Sequence, residues 1–312
     1  MRLFLAGASG TIGRHLLPKL TARGHEVVAM TRTPRKVDAL RDAGAFPVVA
    51  DGLDRDAVMA AVTGAEPDVV IHQMTALTSV GNPRRFDADF HVTNELRTTG
   101  TDNLLGAARA AGTRRFITQS FAGWPSIREG GPVKTEDDPL DPHPPAKMRE
   151  SLDAIRYLER TVAEAEGIEG IVLRYGGFYG PASEMPEQML DGVRKRRFPL
   201  VGDGGGVWSF VHLDDAAQAT VAAVERGAPG IYNIVDDDPA PVAEWLPVFA
   251  SSLGAKQPRH VPAWLGRLAA GEAAVVMMTQ SRGSSNAKAK RELGWRPEHP
   301  SWRQGFREVL SA

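Results

Sequence analysis

The sequence contains no cysteine, so disulfides, thiolate metal ligands and a cysteine nucleophile are excluded together. Neither sign of charge is in excess: 37 Lys and Arg face 38 Asp and Glu. That balance supplies no basic field for nucleic acid, and none is expected as a partner. Aromatic residues are only 7% of the chain and include four tyrosines, a scarcity that limits the proton chemistry considered below. No run approaches the roughly 18 consecutive apolar residues of a membrane-spanning helix, so no membrane partner is expected. The opening stretch has no basic segment, and Leu3-Phe4-Leu5-Ala6 ends at once in glycine. A cytoplasmic protein is the expectation.

What is present is ordinary globular usage, 42% hydrophobic and 24% charged over 312 residues, enough for one large α/β domain with an added lobe or for two modest domains. Short apolar runs alternate with longer amphipathic stretches, the pattern of βαβ units around a parallel sheet. Strands are predicted at Arg2–Ala6, Glu26–Met30, Pro47–Ala50, Asp68–His72, Arg115–Thr118 and Gly170–Leu173. Helices are predicted at Ile12–Arg23, Asp54–Val62, Glu95–Ala111 and Ser151–Glu166. The fold class expected is α/β, a doubly wound parallel sheet of Rossmann type over residues 1–175. Residues 176–312 are expected to form mainly a smaller C-terminal substrate-binding lobe, with some segments returning to the Rossmann core. The Pro-, Gly- and Asp-rich stretch Trp124–Pro145 is predicted to be a mobile loop outside regular structure.

Gly7-Ala8-Ser9-Gly10-Thr11-Ile12-Gly13 follows the first predicted strand and opens the first helix. Backbone N–H groups and a helix N-terminus there would face a bound pyrophosphate. A lone glycine triplet is usually just a turn, but here strand, loop, helix and second strand occur in the required order. Past the second strand, where a carboxylate would hold a ribose 2′-hydroxyl, the chain has Thr31, Arg32, Arg35 and Lys36. Those cations suit a 2′-phosphate, so NADP(H) is favoured over NAD(H). The alternative is a solvated basic turn.

With these residues placed, the chain resembles the NAD(P)-dependent epimerase/dehydratase family, the extended branch of the short-chain dehydrogenases. The resemblance runs nearly end to end. It is carried by the Gly7 loop, Ala50-Asp51, Val69-Val70-Ile71-His72, Asn94 with Thr101-Asp102-Asn103-Leu104-Leu105, Leu173-Arg174-Tyr175, Phe178-Tyr179-Gly180-Pro181, Ser209-Phe210-Val211-His212-Leu213-Asp214-Asp215 and Leu293-Gly294-Trp295-Arg296-Pro297. The resemblance implies an oxidoreductase or epimerase acting on a small molecule, with Asp51 at the adenine. The expected cofactor-binding set is Gly7, Gly10, Thr11, Ile12, Gly13, Arg32, Arg35, Asp51, Gly52, Met74, Thr75, Ser120 and Tyr175. It also implies a homodimer through the helices Glu95–Ala111 and Ser151–Glu166, unless the apolar Leu152, Ile155, Leu158 and Val162 face the sheet instead.

The family's catalytic Tyr-x-x-x-Lys pair is missing. The four tyrosines are Tyr157, Tyr175, Tyr179 and Tyr232, and four places after them stand Thr161, Tyr179, Ser183 and Asp236. Matching Glu159 to the glutamate that commonly follows the dyad puts Ser151 at the tyrosine position and Ile155 at the lysine position. The candidate catalytic residues are therefore Tyr175, Ser151 and Ser120, each with a structural alternative. Tyr175 either donates a proton or packs with a satisfied hydroxyl, Ser151 either orients a substrate oxygen or caps a helix, and Ser120 keeps a polar contact near the nicotinamide. Lys147 and Arg149 could enter the site from the loop, but long cations on loops are usually solvated. His72 and His212 read as framework histidines, and no metal site is expected. The leading function is an NADP(H)-dependent reductase or epimerase-like enzyme with a proton donor other than the dyad. The alternative is a non-catalytic dinucleotide-binding regulator or redox sensor.

Overall fold

Strand alternation explains how the core divides. Along β1 (Arg2–Ala6), Leu3 and Leu5 join the apolar cluster on one face of the sheet, while Phe4 and Ala6 join the cluster on the other, as a period of two requires for a strand covered on both sides. The same burial holds for β2 (Glu26–Thr31), β4 (Val69–His72), β5 (Arg115–Phe121), β6 (Glu169–Tyr175) and β7 (Gly230–Ile234), with β3 (Phe46–Val49) at the more open edge. The computed structural model describes residues 1–77, 83–181 and 187–308. In it these strands form one seven-stranded sheet in the order β7-β6-β5-β4-β1-β2-β3, parallel throughout. The order reverses direction between β4 and β1, and the crevice at the carboxyl ends of those strands is the place where such sheets bind ligands.

Helices cover both faces. On one side lie α1 (Thr11–Thr21) and, from later in the chain, α8 (Leu213–Glu225). On the other lie α3 (Arg55–Ala65), α5 (Thr99–Ala110) and α6 (Arg149–Ala163). The short α2 (Val37–Asp42) precedes β3, α4 (Phe86–Arg97) packs along α6, and α7 (Glu187–Arg194) belongs to the lobe. The lobe has its own apolar centre around Trp245, Phe249, Phe210, Trp302 and Phe306. No helix among the described residues is long and apolar enough to cross a membrane.

Several expectations need correcting. The helix predicted over Glu95–Ala111 is two helices, α4 and α5, divided at Thr98, whose φ of −99° and ψ of −87° leave the helical region. The seventh strand was not predicted, and β5 and β6 run further toward their carboxyl ends than expected. The stretch 124–145 is pinned rather than mobile. Val133–Lys134 pairs with Gly283–Ser284, Arg128 meets Asp141 at 2.9 Å, and the Glu136 carboxylate accepts the Asn233 N–H at 2.7 Å. In α6, Leu152, Ile155, Leu158 and Val162 are all buried inside the molecule, so these four side chains face the core.

Candidate functional site

The glycine loop is shaped by close approach. Gly7 has φ +87°, and a Cβ there would lie 2.6 Å from the Gln73 carbonyl oxygen. A Cβ on Gly13 would lie 2.4 Å from the carbonyl oxygens of both Gly7 and Ala8, so only glycine lets α1 sit this near the end of β1. Gly10 is the N-cap of α1 and brings no capping side chain, and the first turn of α1 holds no acidic residue. The leading N–H groups of the helix are thus left for an anion. Thr11 is exposed at the start of α1, whereas Ile12 packs inward. This cradle fits a dinucleotide pyrophosphate.

Around the loop, the Thr31 hydroxyl is buried against Ser9 Oγ at 3.0 Å. Lys36 reaches the Ser9 carbonyl at 3.3 Å, and Arg32 and Arg35 stand exposed on the lip. The first carboxylate after β2 is Asp38, which pairs with Arg41 at 2.6 Å. On the other side of the loop Asp51 is exposed and accepts the Leu53 N–H, while Gly52 lies against Met74, whose sulfur a Cβ at Gly52 would meet at 2.5 Å. Met74 is buried and its carbonyl accepts from Gln119 Nε2, whereas Thr75 is exposed. The turn after β4 is set by His72: Nδ1 accepts the Met74 N–H, so Nε2 carries the hydrogen toward the Leu96 carbonyl. Burial pulls the His72 pKa down to about 4, against the pull of that carbonyl, which keeps the ring neutral.

The three candidate proton-handling hydroxyls are all engaged internally. Tyr175 is buried in the core, accepts from Gln73 Nε2 at 3.1 Å and lies 2.6 Å from Thr220 Oγ1. Thr220 spends its own proton on the Ala216 carbonyl, so the Tyr175 proton points to Thr220 on α8. Burial pushes the Tyr175 pKa up to about 12, with Thr220 and Gln73 opposing. This is the placement of a packing tyrosine. Ser151 is fully buried, donates to Asp87 Oδ1 at 2.7 Å and accepts from Asn94 Nδ2 at 3.1 Å. It does not cap α6, because Asp87 on α4 takes the N–H groups of Glu150 and Ser151. Ser120 donates to Glu159 Oε1 at 2.7 Å. Each of the three hydroxyls expected to handle a proton thus has an internal partner: Thr220 for Tyr175, Asp87 for Ser151 and Glu159 for Ser120.

What the residue-by-residue reading missed is a set of buried charges beneath the crevice. Glu159 and Arg174 form a two-pronged pair, Nε to Oε1 at 2.8 Å and Nη2 to Oε2 at 2.6 Å. Burial opposes the Arg174 charge, but Glu159, with Glu136 beyond it, holds its pKa above the usual value. Glu136 itself is pushed up by burial, against the Asn233 N–H. Arg97, at the end of α4, is 8% exposed. Beside these charges runs an aromatic strip: Phe90 stacks on Phe86 at 4.4 Å, Trp124 meets Phe86 edge-on at 5.2 Å, and Phe121 at the end of β5 lies 6.4 Å from Trp124. Lys147, in the short turn before α6, and Arg149, its first residue, are both exposed.

His212, Asp215 and His299 come within 4.8 Å of one another, a grouping hidden in the sequence by its separation. The fully buried Asp215 carboxylate accepts the N–H groups of Glu298 and His299 and contacts His299 Nδ1, while His212 Nδ1 accepts the Asp214 N–H. Its lone pairs are occupied in clasping residues 298–299 to α8.

Residues 3–235 match the NAD dependent epimerase/dehydratase family. The chain is 45% identical over 314 residues to the 3-diazoavenalumate denitrifying reductase of a Streptomyces species, covering 98% of this chain and 99% of that protein. Among solved structures it is similar to UDP-glucose 4-epimerase with UDP-glucose from Thermotoga maritima, at 23% identity and a TM-score of 0.75, over 100% of this chain and 98% of that one. It is also similar to a human epimerase family protein with NADPH, at 20% identity and a TM-score of 0.74, over 100% and 99% of the two chains.

Proposed function

The chain belongs to the NAD dependent epimerase/dehydratase family of NAD(P)-dependent enzymes, and on that premise we propose that it is an NADPH-dependent reductase of a small planar aromatic substrate whose reaction takes no proton from a side chain. One observation carries this reading. In the register that matches Glu159 to the family's glutamate, the two dyad positions hold Ser151 and Ile155, both fully buried, and the phenol expected to act in their place, Tyr175, turns its proton into the core.

Such a site suits an acceptor that needs a hydride and nothing more. The reduced dinucleotide, when bound, supplies a hydride. Added to an aryl diazonium cation, its two electrons form the new C–H bond while the C–N pair departs with N2, so atoms and charge balance without an acid. The 45% identical relative is named for a denitrifying reduction of a diazo compound, which makes this the first chemistry to test. The residues of this chain bind and orient: the loop at Gly7, Gly10 and Gly13 takes the pyrophosphate, and the half-buried Phe90, Trp124 and Phe121, backed by the buried Phe86, border the place for a flat ring. The test is NADPH oxidation with matched N2 release from aryl diazonium carboxylic acids, with aryl ketones and nucleotide sugars as comparison. Turnover confined to the ketones or sugars would overturn the reading.

Two predictions follow from the same geometry. Tyr175→Phe is expected to keep turnover within about threefold, because its phenol gives no proton to substrate; a loss on the order of 100-fold, the scale of a positioned acid, would restore it as the donor. Cofactor preference is expected to favour NADPH over NADH, supported by the exposed Arg32 and Arg35 and by Asp38 turning to Arg41. Arg32→Ala should weaken NADPH by about 1.5–3 kcal/mol, the value of a hydrogen bond to a charged group, and leave NADH unchanged. Calorimetric titration reads both, and equal affinities for the two cofactors would refute the preference.

A further inference from the structure

A guanidinium this deeply buried is normally paired with a carboxylate, since an isolated charge is costly to remove from water. Arg97 is not. Among the described residues it makes no ion pair: Nη1 donates to Asn94 Oδ1 at 3.3 Å, and the guanidinium lies 5.8 Å from the centre of the Phe90 ring. The nearest candidate partner, Glu159, is already held by both prongs of Arg174 and by Ser120. Of five N–H donors, most are left over. The residue still keeps 8% of its surface accessible.

Arg97 follows Leu96, whose carbonyl meets His72 Nε2 at the carboxyl end of β4, so it stands at the β4 side of the crevice. Arg97 sits at one end of the aromatic strip, on Phe90, and the strip runs through Phe86 and Trp124 to Phe121 at the carboxyl end of β5. The side chain is also positioned from behind. Asp87 accepts from Ser151, Ser151 accepts from Asn94 Nδ2, and this turns Asn94 Oδ1 toward Arg97. Position 155 on α6 is Ile155, fully buried, so the cation of this cleft comes from α4.

We propose that Arg97 is the residue that recognises the substrate's anionic oxygen, a carboxylate or a phenolate, with the attached flat ring beside the partly exposed Phe90 and Trp124. The aromatic character of the substrate rests on the reading above; the demand of Arg97 for an anion does not. A phenolate and a carboxylate present the same oxyanion to the guanidinium, and the experiment separates them.

The test is calorimetric binding to the NADP+-saturated enzyme of two probe pairs, trans-cinnamate with cinnamamide and 4-nitrophenolate with 4-nitroanisole. The wild type is expected to bind the ionised member of at least one pair about tenfold or more tightly than its neutral twin. The pair that shows the preference names the oxyanion. Arg97→Met should erase the preference while leaving the neutral twins and NADP+ itself within about twofold, and Arg97→Lys should keep part of it as a point charge without the planar fork. Three results would each overturn the proposal: no preference in the wild type, equal weakening of both twins in Arg97→Met, or a matching loss of NADP+ affinity. Should Arg97→Met fail to fold, a fall in the ion-to-neutral ratio in Arg97→Lys decides the question. Binding is read without turnover, so the outcome stands apart from whether diazo compounds are reduced.

Discussion

Gly13→Val is expected to lower NADPH affinity by about 100-fold or more while leaving the far half of the sheet folded. A Cβ at this position lies 2.4 Å from two backbone carbonyl oxygens, those of Gly7 and Ala8, and backbone at the end of a central strand cannot yield as a flexible side chain does. The N-terminus of α1 would have to swing outward, carrying the N–H groups of its first turn away from the pyrophosphate position. Overpacking of this sort commonly costs about 1–3 kcal/mol in stability, and displaced anion donors lose their charge-assisted bonds as well. Gly10→Ala is the control within the same loop, because its Cβ meets only the Gly7 carbonyl oxygen, at 3.2 Å, a contact relieved by a few tenths of an ångström. Fluorescence titration with NADPH, beside circular dichroism for the fold, measures both variants. A Gly13→Val protein that binds NADPH within tenfold of the wild type would refute the assignment of this loop as the cofactor cradle.

The loop was legible because all of its evidence is local: glycines at fixed spacing between a buried strand and an amphipathic helix. The first six strands were legible for the same reason, each a short apolar run bounded by turn residues. The seventh strand, Gly230–Ile234, was missed because the chain leaves the sheet for the lobe after β6 and its return gives no signal in order or spacing. The first part of α4 was missed because its inward face includes Asp87, Asn94 and Arg97, which spoil the apolar stripe of a helix. Arg97 itself was invisible, since an arginine on a helix is solvated in most proteins, and only the packing of α4 on α6 buries it. Tyr175 shows the opposite limit. Its position at the end of β6 was read correctly, but the direction of its proton depends on Thr220 and Gln73, one 45 residues later in the chain and the other 102 earlier.

Glu159→Gln is expected to destabilise the protein by about 3–5 kcal/mol, the cost of leaving a buried charge without its partner. The neutral amide keeps the size of the side chain but removes the negative charge that faces Arg174, itself 5% exposed. One oxygen of the amide becomes an N–H donor set against a guanidinium that only donates, so at least one of the two prongs between β6 and α6 is lost. Arg97 feels the same loss: burial holds its pKa down, to about 10, and Glu159 is the charge that opposes this. Ser120, whose hydroxyl donates to Glu159 at 2.7 Å, is released at the end of β5 beside the crevice, so substrate binding should weaken along with stability. The double variant Glu159→Leu with Arg174→Met separates charge from packing. If the single-variant cost is the stranded guanidinium, replacing both partners with apolar side chains should recover most of it. Urea denaturation of the single and double variants closes the cycle. A Glu159→Gln protein within about 1 kcal/mol of the wild type, the range of an exposed pair, would show that the buried pair does not hold α6 to the sheet.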